Sequence, residues 1–310
     1  MHPGEVAAVL AFLALILAAL AAAAGLLLGL PPLAGVPLPA RLGIYGASLG
    51  GLLCIAYGTL VEPWTLEVRR VEVRSPKLGG PVRLAHVSDL HMRRWTRIEE
   101  RVLAAVRGME PDAVLVTGDF GANPTVADDV RRFVRELAAI APTYCSRGNH
   151  EYRGHCPMES LQGLGATWLV NAKARVRAQG TTLDVVGVDA GDEAAVRSLE
   201  GSLEPGVFSI LLYHYPDLVP ELAGLAYDLM LCGHTHGGQV RLPWLGALIC
   251  MSRPGTACSH GLFQAEGRTA HVSRGIGCES YLLPRIRFRC PPEVTLIALE
   301  PGPPSATDAG

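Results

Sequence analysis

Two carboxylates, one carboxamide and four imidazoles stand at or just beyond the ends of short apolar runs. Asp89 and His91 follow Arg83-Leu-Ala-His-Val-Ser, and Asp119 follows Ala113-Val-Leu-Val-Thr-Gly. Asn149 follows Thr143-Tyr-Cys-Ser-Arg-Gly, with His150 next to it; His214 closes Phe208-Ser-Ile-Leu-Leu-Tyr; His234 and His236 follow Asp228-Leu-Met-Leu-Cys-Gly. Oxygen and imidazole donors suit divalent Mn, Fe, Zn or Co, and the lack of cysteine among them argues against a closed structural zinc site. Seven donors suffice for two ions. One shared carboxylate holds such ions about 3.5–4 Å apart, close enough to clamp both the attacking and the leaving oxygen of a phosphoryl group. Asp119 is the bridge candidate, since it lies midway among the motifs and directly follows a glycine. Gly118, Gly148 and Gly233 each precede a candidate donor by one residue, where glycine permits a sharp turn and a close backbone approach.

The elements that must position these donors can be read from the same runs. Short runs rich in Val, Leu and Ile read as buried strands, and open α/β sheets collect their functional groups at the carboxyl ends of strands. Five such ends are expected to converge. Between them, Thr96-Arg-Ile-Glu99 predicts a capping box that opens a helix with Ile98, Val102 and Val106 on its apolar stripe, ending near Gly108 and Pro111. Val126 to Ile140 repeats the pattern with Val130, Phe133, Val134 and Leu137, and Pro216 to Leu225 predicts a third, shorter helix. This alternation predicts a layered α/β domain. Beyond Val240 the helical period disappears, and short strands with Gly and Pro turns predict a second sheet.

Asp89-Leu-His91, Gly118-Asp119, Gly148-Asn-His-Glu151, His214 and Gly233-His-Thr-His-Gly237 resemble the five signature blocks of the calcineurin-like metallophosphoesterases. Each block alone is a weak signal, but five in the family's order are specific. The resemblance implies an α/β fold, a two-sheet β-sandwich flanked by helices, with the site at one edge. It implies one ion held by Asp89, His91, Asp119 and His236, a second held by Asp119, Asn149, His214 and His234, and attack by a hydroxide bridging them. By the same resemblance His150 is the second-sphere histidine that protonates the leaving group or steadies the phosphate. Glu151, standing where many relatives have Asp, would orient it. The closing stretch, Gly237-Gly-Gln-Val240, His271-Val-Ser-Arg-Gly-Ile-Gly277 and Pro284 to Glu293, is similar to a bacterial membrane-attached branch, YaeI- or YkuE-like. That branch implies a phosphodiester or pyrophosphate substrate, lipid-linked in some members.

Composition bounds the partners. The 310 residues carry a formal net charge of -2, so no broad basic footprint marks a nucleic-acid binder. Val6 to Leu30 holds no charged residue and exceeds the roughly 20 residues that cross a bilayer core; Leu42 to Val61 is just long enough. With the proline-rich stretch 31–39 between them, these predict a transmembrane hairpin over residues 1–66, a catalytic domain over 67–300 and a disordered tail over 301–310. A cleaved signal peptide is the competing reading of the first segment, disfavoured because no Lys or Arg precedes it. Arg69, Arg70, Arg74 and Lys77 follow the second span, whereas the connecting loop offers only Arg41. The positive-inside rule therefore puts a multi-pass protein in the inner membrane with its catalytic domain in the cytoplasm, the extracytoplasmic side being the alternative. The eight cysteines form no CxxC pair and read as free thiols.

Every candidate also has a plainer reading, since a lone Asp or His at a strand end is more often a cap than a ligand. Independent caps would not choose these types in this order. Arg147 and Arg153 flank the Asn149 block and are candidates for substrate phosphate. Arg285, Arg287 and Arg289 alternate with Ile286, Phe288 and Cys290, which reads as a strand with a basic face, either solvated or in contact with phosphate. Asn123 reads equally as a turn residue or a site residue. His86 reads as a core histidine, and His155, His260 and His271 as structural. Two rival functions remain: a nuclease or nucleotide phosphodiesterase of the same fold, and an idle metal-binding membrane scaffold. A peptidase using His234 and His236 lacks the HExxH helix that would accompany it.

Overall fold

The computed structural model describes residues 25, 36–154, 161–279 and 285–303. Its strands are β1 (Glu67–Ser75), β2 (Val82–Val87), β3 (Ala113–Thr117), β4 (Thr143–Ser146), β5 (Ala166–Trp168), β6 (Ala172–Ala178) and β7 (Thr181–Val188). There follow β8 (Phe208–Tyr213), β9 (Leu229–Cys232), β10 (Arg241–Leu242), β11 (Gly246–Ala247), β12 (Gly261–Ala265), β13 (Arg268–Val272) and β14 (Glu293–Pro301). Two six-stranded sheets result, ordered β1-β14-β2-β3-β4-β5 and β12-β13-β9-β8-β7-β6. The pairs β2–β3, β3–β4, β7–β8 and β8–β9 are parallel, so the carboxyl ends of β2, β3, β4, β8 and β9 can share one edge.

The sheets face each other across a core that includes Leu84, Leu115, Leu183, Val185, Leu212, Leu231, Ile297 and Leu299, all withdrawn from water. The helices Arg97–Met109 and Ala127–Ile140 close the outer face of the first sheet with Val102, Val106, Val130, Phe133, Val134 and Leu137. The expected capping box is present: the Thr96 hydroxyl accepts from the Ile98 amide, and the Thr96 amide donates to Glu99 at 2.7 Å. The helix Glu193–Glu200 and the segment Pro216–Gly224 cover the second sheet. That segment winds as a 3-10 helix because Pro220 lies inside it and cannot donate to an α-helical ladder. The expected two-sheet sandwich with flanking helices is therefore the observed architecture.

The second sheet does not begin beyond Val240. Its centre is β7, β8 and β9, buried on both faces, and only its outer strands β12 and β13 come from the later chain. Periodicity marks a strand as buried but does not say which of two buried sheets it joins. The residues after Val240 also supply the ribbon β10–β11, while β14 returns to the first sheet between β1 and β2. Pairing of Ser75 with Pro301 carries β14 one residue into the stretch expected to be a tail; residues 304–310 lie outside the described residues.

Of the two expected spans, residues 6–30 lie outside the described residues apart from Gly25. The second is the helix Leu38–Leu60, within a stretch Leu38–Trp64 that is long and apolar enough to cross a membrane, its mean hydropathy reaching 1.6. Leu38, Leu42, Leu49, Leu53 and Leu60 stand exposed along it. Its carboxyl end is attached to the domain. Gly58 sits against Ile286, where a Cβ would come within 2.8 Å of the side chain, and the Gly58 carbonyl accepts from the Arg287 amide at 2.9 Å. The buried Glu62 carboxylate accepts from the Arg289 amide at 2.9 Å and from the Cys290 amide.

Residues 285–290 are consequently not a strand with a basic face. Arg287 is wholly buried, because its guanidinium donates to the carbonyls of Arg274, Gly277 and Cys290. Those carbonyls replace the water an arginine needs, which an alternating pattern cannot reveal. Replacing Glu62 by Ala strips two amides of their acceptor, at roughly 1–3 kcal/mol for each buried donor left unpaired. The Glu62→Ala protein should melt clearly below the parent in detergent, and an unchanged melting temperature would remove Glu62 as the link between helix and domain.

Candidate metal centre

All seven candidate ligands and His150 come to the shared edge, from both sheets. Asp89 and His91 follow β2, Asp119 follows β3, and Asn149 and His150 follow β4; His214 follows β8, and His234 and His236 follow β9. The turns that hold them are tight. Asp89, His91, Asp119, His234 and His236 have φ of 51, 40, 56, 71 and 51°, in the left-handed region that non-glycine residues seldom occupy. Such backbone costs on the order of 1–3 kcal/mol per residue and persists only where its surroundings over-determine it, as they do at functional sites. Here the surroundings are main-chain bonds: Asp89 N to Gly118 O at 3.1 Å, His91 N to Asp119 O at 2.9 Å, and Gly277 N to Asp89 O at 2.7 Å.

The carboxylates are cradled by glycines. A Cβ on Gly233 would stand 2.1 Å from Asp89 Oδ2, and one on Gly148 would stand 2.2 Å from Asp119 Oδ1. Asp89 in turn accepts from His234 N at 2.9 Å and from the Ser88 hydroxyl at 2.6 Å, and Asp119 accepts from His150 N at 2.8 Å. These bonds aim the remaining lone pairs inward. Asp119 Oδ2 lies 3.3 Å from His91 Nε2 and 3.3 Å from His214 Nε2. His91 Nε2 is 3.0 Å from His236 Nε2, and His236 Nε2 is 3.7 Å from Asp89 Oδ1. The side chains gather into three overlapping groups close enough to grip a cation: Asp89, His91 and His236; His91, Asp119 and His150; and Asp119, His214 and His234.

Charge makes the same point. Burial pushes the Asp89 carboxyl upward, but His236, His91 and His214 outweigh it and hold the group below the usual carboxylate range. Asp119 is held low in the same way, against burial, by His214, His91 and His150. His214 is pushed down by burial yet lifted to about 10 by Asp119 and Asp89. Asn149 Oδ1 is buried without a donor among the described residues. Anionic oxygens, a bare amide oxygen and imidazole nitrogens facing one another, with no thiolate, fit a divalent cation.

Other expectations are redirected. Glu151 does not orient His150; its buried carboxylate accepts from the amides of Asp119 at 2.8 Å, Phe120 at 2.8 Å and Gly148 at 2.9 Å, locking the β3 and β4 turns together. His150 Nδ1 lies 3.1 Å from Gly121 O, and its Nε2 lies 3.2 Å from Glu279 Oε2. Glu279 carries no strand-end or motif signal. The hint that could have marked it is an acidic residue just after Gly275-Ile-Gly277. Arg147 is bound to Asp189, Nε to Oδ1 at 2.6 Å, and Arg153 is exposed on the turn beyond His150. Asn123 is a turn residue, capping the Pro124–Val126 turn through Thr125 N. His155 lies outside the described residues. His86 is a core histidine, as expected, between Thr117 Oγ1 at 2.9 Å and His271 Nδ1 at 3.1 Å.

The buried histidines give the metal-free protein an acid-sensitive stability. Burial first of all pushes His86 and His236 to about 3 and His234 and His260 to about 4. The unfolded chain takes up those protons near pH 6.5, so the stability they contribute is present above that pH and lost as pH falls towards 3. His214 and His150 are raised, and what they contribute is already complete below pH 6.5. Chelator-stripped protein should therefore lose stability steadily from pH 6.5 to 4 in denaturant titrations; a flat or rising midpoint would contradict this account.

Residues 82–238 match the family model described as calcineurin-like phosphoesterase. The chain is 28% identical over 277 residues to the metallophosphoesterase YkuE of Bacillus subtilis, covering 83% of this chain and 95% of that one. It is 30% identical over 236 residues to the phosphodiesterase YaeI of Escherichia coli, covering 71% and 83%. It is 24% identical over 303 residues to the UDP-2,3-diacylglucosamine pyrophosphatase LpxG of Chlamydia trachomatis, covering 76% and 90%. The matched span runs from the strand before Asp89 to the turn after His236 and encloses every candidate ligand, and with it the chain belongs to the calcineurin-like phosphoesterase family of hydrolases.

Proposed function

We propose that the protein is a membrane-attached phosphoesterase that uses two divalent ions to hydrolyse a phosphodiester or pyrophosphate bond, in a substrate carrying a lipid. The observation that carries this reading is Asp119 Oδ2, a single buried carboxylate oxygen 3.3 Å from histidines on either side. Asp89, His91, Asp119 and His236 would hold one ion, and Asp119, Asn149, His214 and His234 the other. Mn, Fe, Zn or Co all suit these donors. When bound, the ions supply Lewis acidity and lower the pKa of bound water towards about 7.

The chain's own residues have separate tasks. Glu151 and the glycine cradle keep the carboxylates from swinging out. His150, tethered through Nδ1 to Gly121 O, directs Nε2 towards the site. Burial pushes this ring's pKa down, but Glu279 and Asp119 raise it overall, so the proton stays available at Nε2 for a departing ester oxygen. The lipid-linked reading draws on the pyrophosphatase relative and on the exposed apolar helix Leu38–Leu60. With the earlier apolar segment that helix would complete a hairpin, and Arg69, Arg70 and Arg74, exposed on β1, favour a cytoplasmic domain.

The test is hydrolysis of bis(p-nitrophenyl) phosphate beside p-nitrophenyl phosphate by detergent-purified, chelator-stripped protein, with single metals restored. Turnover should return with metal. Asp119→Asn should abolish it and weaken both ions, whereas His150→Ala should cut turnover by about 10²-fold or more with metal content nearly intact. Loss of both ions in His150→Ala would refute its place outside the ligand set, and failure of the parent protein to bind metal would sink the proposal.

A further inference from the structure

The turn Arg274–Glu279 brings a carboxylate to the centre that none of the signature blocks contains. His91 turns Nε2 towards the cluster, 3.3 Å from Asp119 Oδ2 and 3.0 Å from His236 Nε2, and its Nδ1 lies 3.0 Å from Glu279 Oε2, an ion-pair contact outside hydrogen-bond alignment. A histidine that offers its Nε2 lone pair to a cation must carry its proton on Nδ1, and the charge of a carboxylate beside that nitrogen favours this tautomer. The same Glu279 oxygen lies 3.2 Å from His150 Nε2, and the His91 and His150 rings meet edge to face with centroids 4.3 Å apart. One carboxylate thus spans a candidate ligand and the histidine that faces the substrate.

Glu279 is itself held from two directions. The Gln239 side chain donates to the Glu279 carbonyl at 2.8 Å and accepts from the Glu279 amide at 2.7 Å. The Gln239 amide in turn donates to the His236 carbonyl at 3.0 Å, so the carboxylate is tied to the same turn as a ligand. Gly277 presses the segment onto the β2 turn: a Cβ there would stand 2.1 Å from Leu90 O and 2.9 Å from the His91 Cβ. The approach of Glu279 to His91 is therefore set by main-chain packing on both sides.

We propose that Glu279 is a positioning residue: it fixes the His91 ring for cation binding through Nε2 and restrains the His150 ring beside it. The inference rests on the metal-centre reading above. Its test is calorimetric titration of Mn²⁺ and Zn²⁺ into chelator-stripped parent, Glu279→Ala and Glu279→Gln proteins, beside kcat and KM for each. Glu279→Ala should bind at least one ion about 10–100-fold more weakly, the range typical for removing a partner of a metal-bound histidine, and kcat should fall. Glu279→Gln should recover part of the affinity, since its amide oxygen occupies the carboxylate's place beside Nδ1 without the charge. Any fall in the melting temperature of the metal-free protein should be too small to account for the lost affinity. Glu279→Ala binding both ions as tightly as the parent would overturn the role, as would Glu279→Gln failing as badly as Glu279→Ala, or a fall in metal-free melting temperature that accounts for the lost affinity. A parent protein that binds no ion would instead bring down the metal-centre reading itself.

Discussion

Two carboxylates taken out of water, Asp89 and Asp119, impose the main constraint on this fold. A buried anion is tolerated only with opposite charge and hydrogen bonds around it. Backbone amides from His234 and His150 and the Ser88 hydroxyl meet part of that demand, and the histidines meet another part by sharing protons with the carboxylates. Burial pushes His234 and His236 towards their neutral forms, so among these rings the charge that offsets the carboxylates falls to His214 and His150. Cations bound among these groups would satisfy the oxygens and leave every imidazole neutral. The left-handed turns, the glycines pressed on each carboxylate and Glu151 bridging two turns all hold anions close that would otherwise repel.

Behind the centre a chain of polar side chains crosses between the sheets. Asp89 accepts from Ser88, which accepts from Thr117 at 2.7 Å, and Thr117 meets His86, which meets His271 on the other sheet. His271 Nε2 lies 3.4 Å from Glu293, and Glu293 accepts from Arg274 at 2.6 Å, which reaches Glu67 at 2.7 Å near the surface. Burial pushes Glu293 up, but His271 and Arg274 more than offset it and hold the carboxyl at about 2. A fully satisfied network of this kind rigidifies a core, whereas a half-satisfied one is costly. Its effect here is to lock the angle of Ser88 and hence of the Asp89 carboxylate, using groups from β2, β3, β13 and β14.

What could be read from the sequence follows from what each signal encodes. The ligand types, the strands that carry them and the helices between them are local: a buried run ending in Gly-Asp or Gly-His announces itself, as does Thr96 with Glu99. The assignment of β7, β8 and β9 to the second sheet is not local, since a run buried on both faces fits either sheet equally. Glu279, Glu151 and Arg287 escaped for a related reason. Their roles depend on which turn lies opposite them, and two of the three grip main-chain atoms, which have no sequence identity. Arg147 shows the converse: its place beside Asn149 was legible, but Asp189, the carboxylate that occupies it, is 42 residues away.

Arg287 also ties the apolar helix to the chemistry. Its amide is held by Gly58 near the end of that helix, its guanidinium grips the carbonyls of Arg274 and Gly277, and its Nη2 lies 3.4 Å from His236 Nδ1. Glu62, four residues beyond Gly58, holds the next turn of the same segment through Arg289 and Cys290, and Cys290 Sγ touches the His236 carbonyl at 3.2 Å. A simple tether needs no rigid joint, yet here the helix end and the His236 turn share a set of buried hydrogen bonds. A helix seated in a bilayer would then hold the centre at a set height and tilt above the lipid surface. Under the lipid-linked reading proposed above, that geometry would present the centre to a scissile phosphate at the level of lipid headgroups.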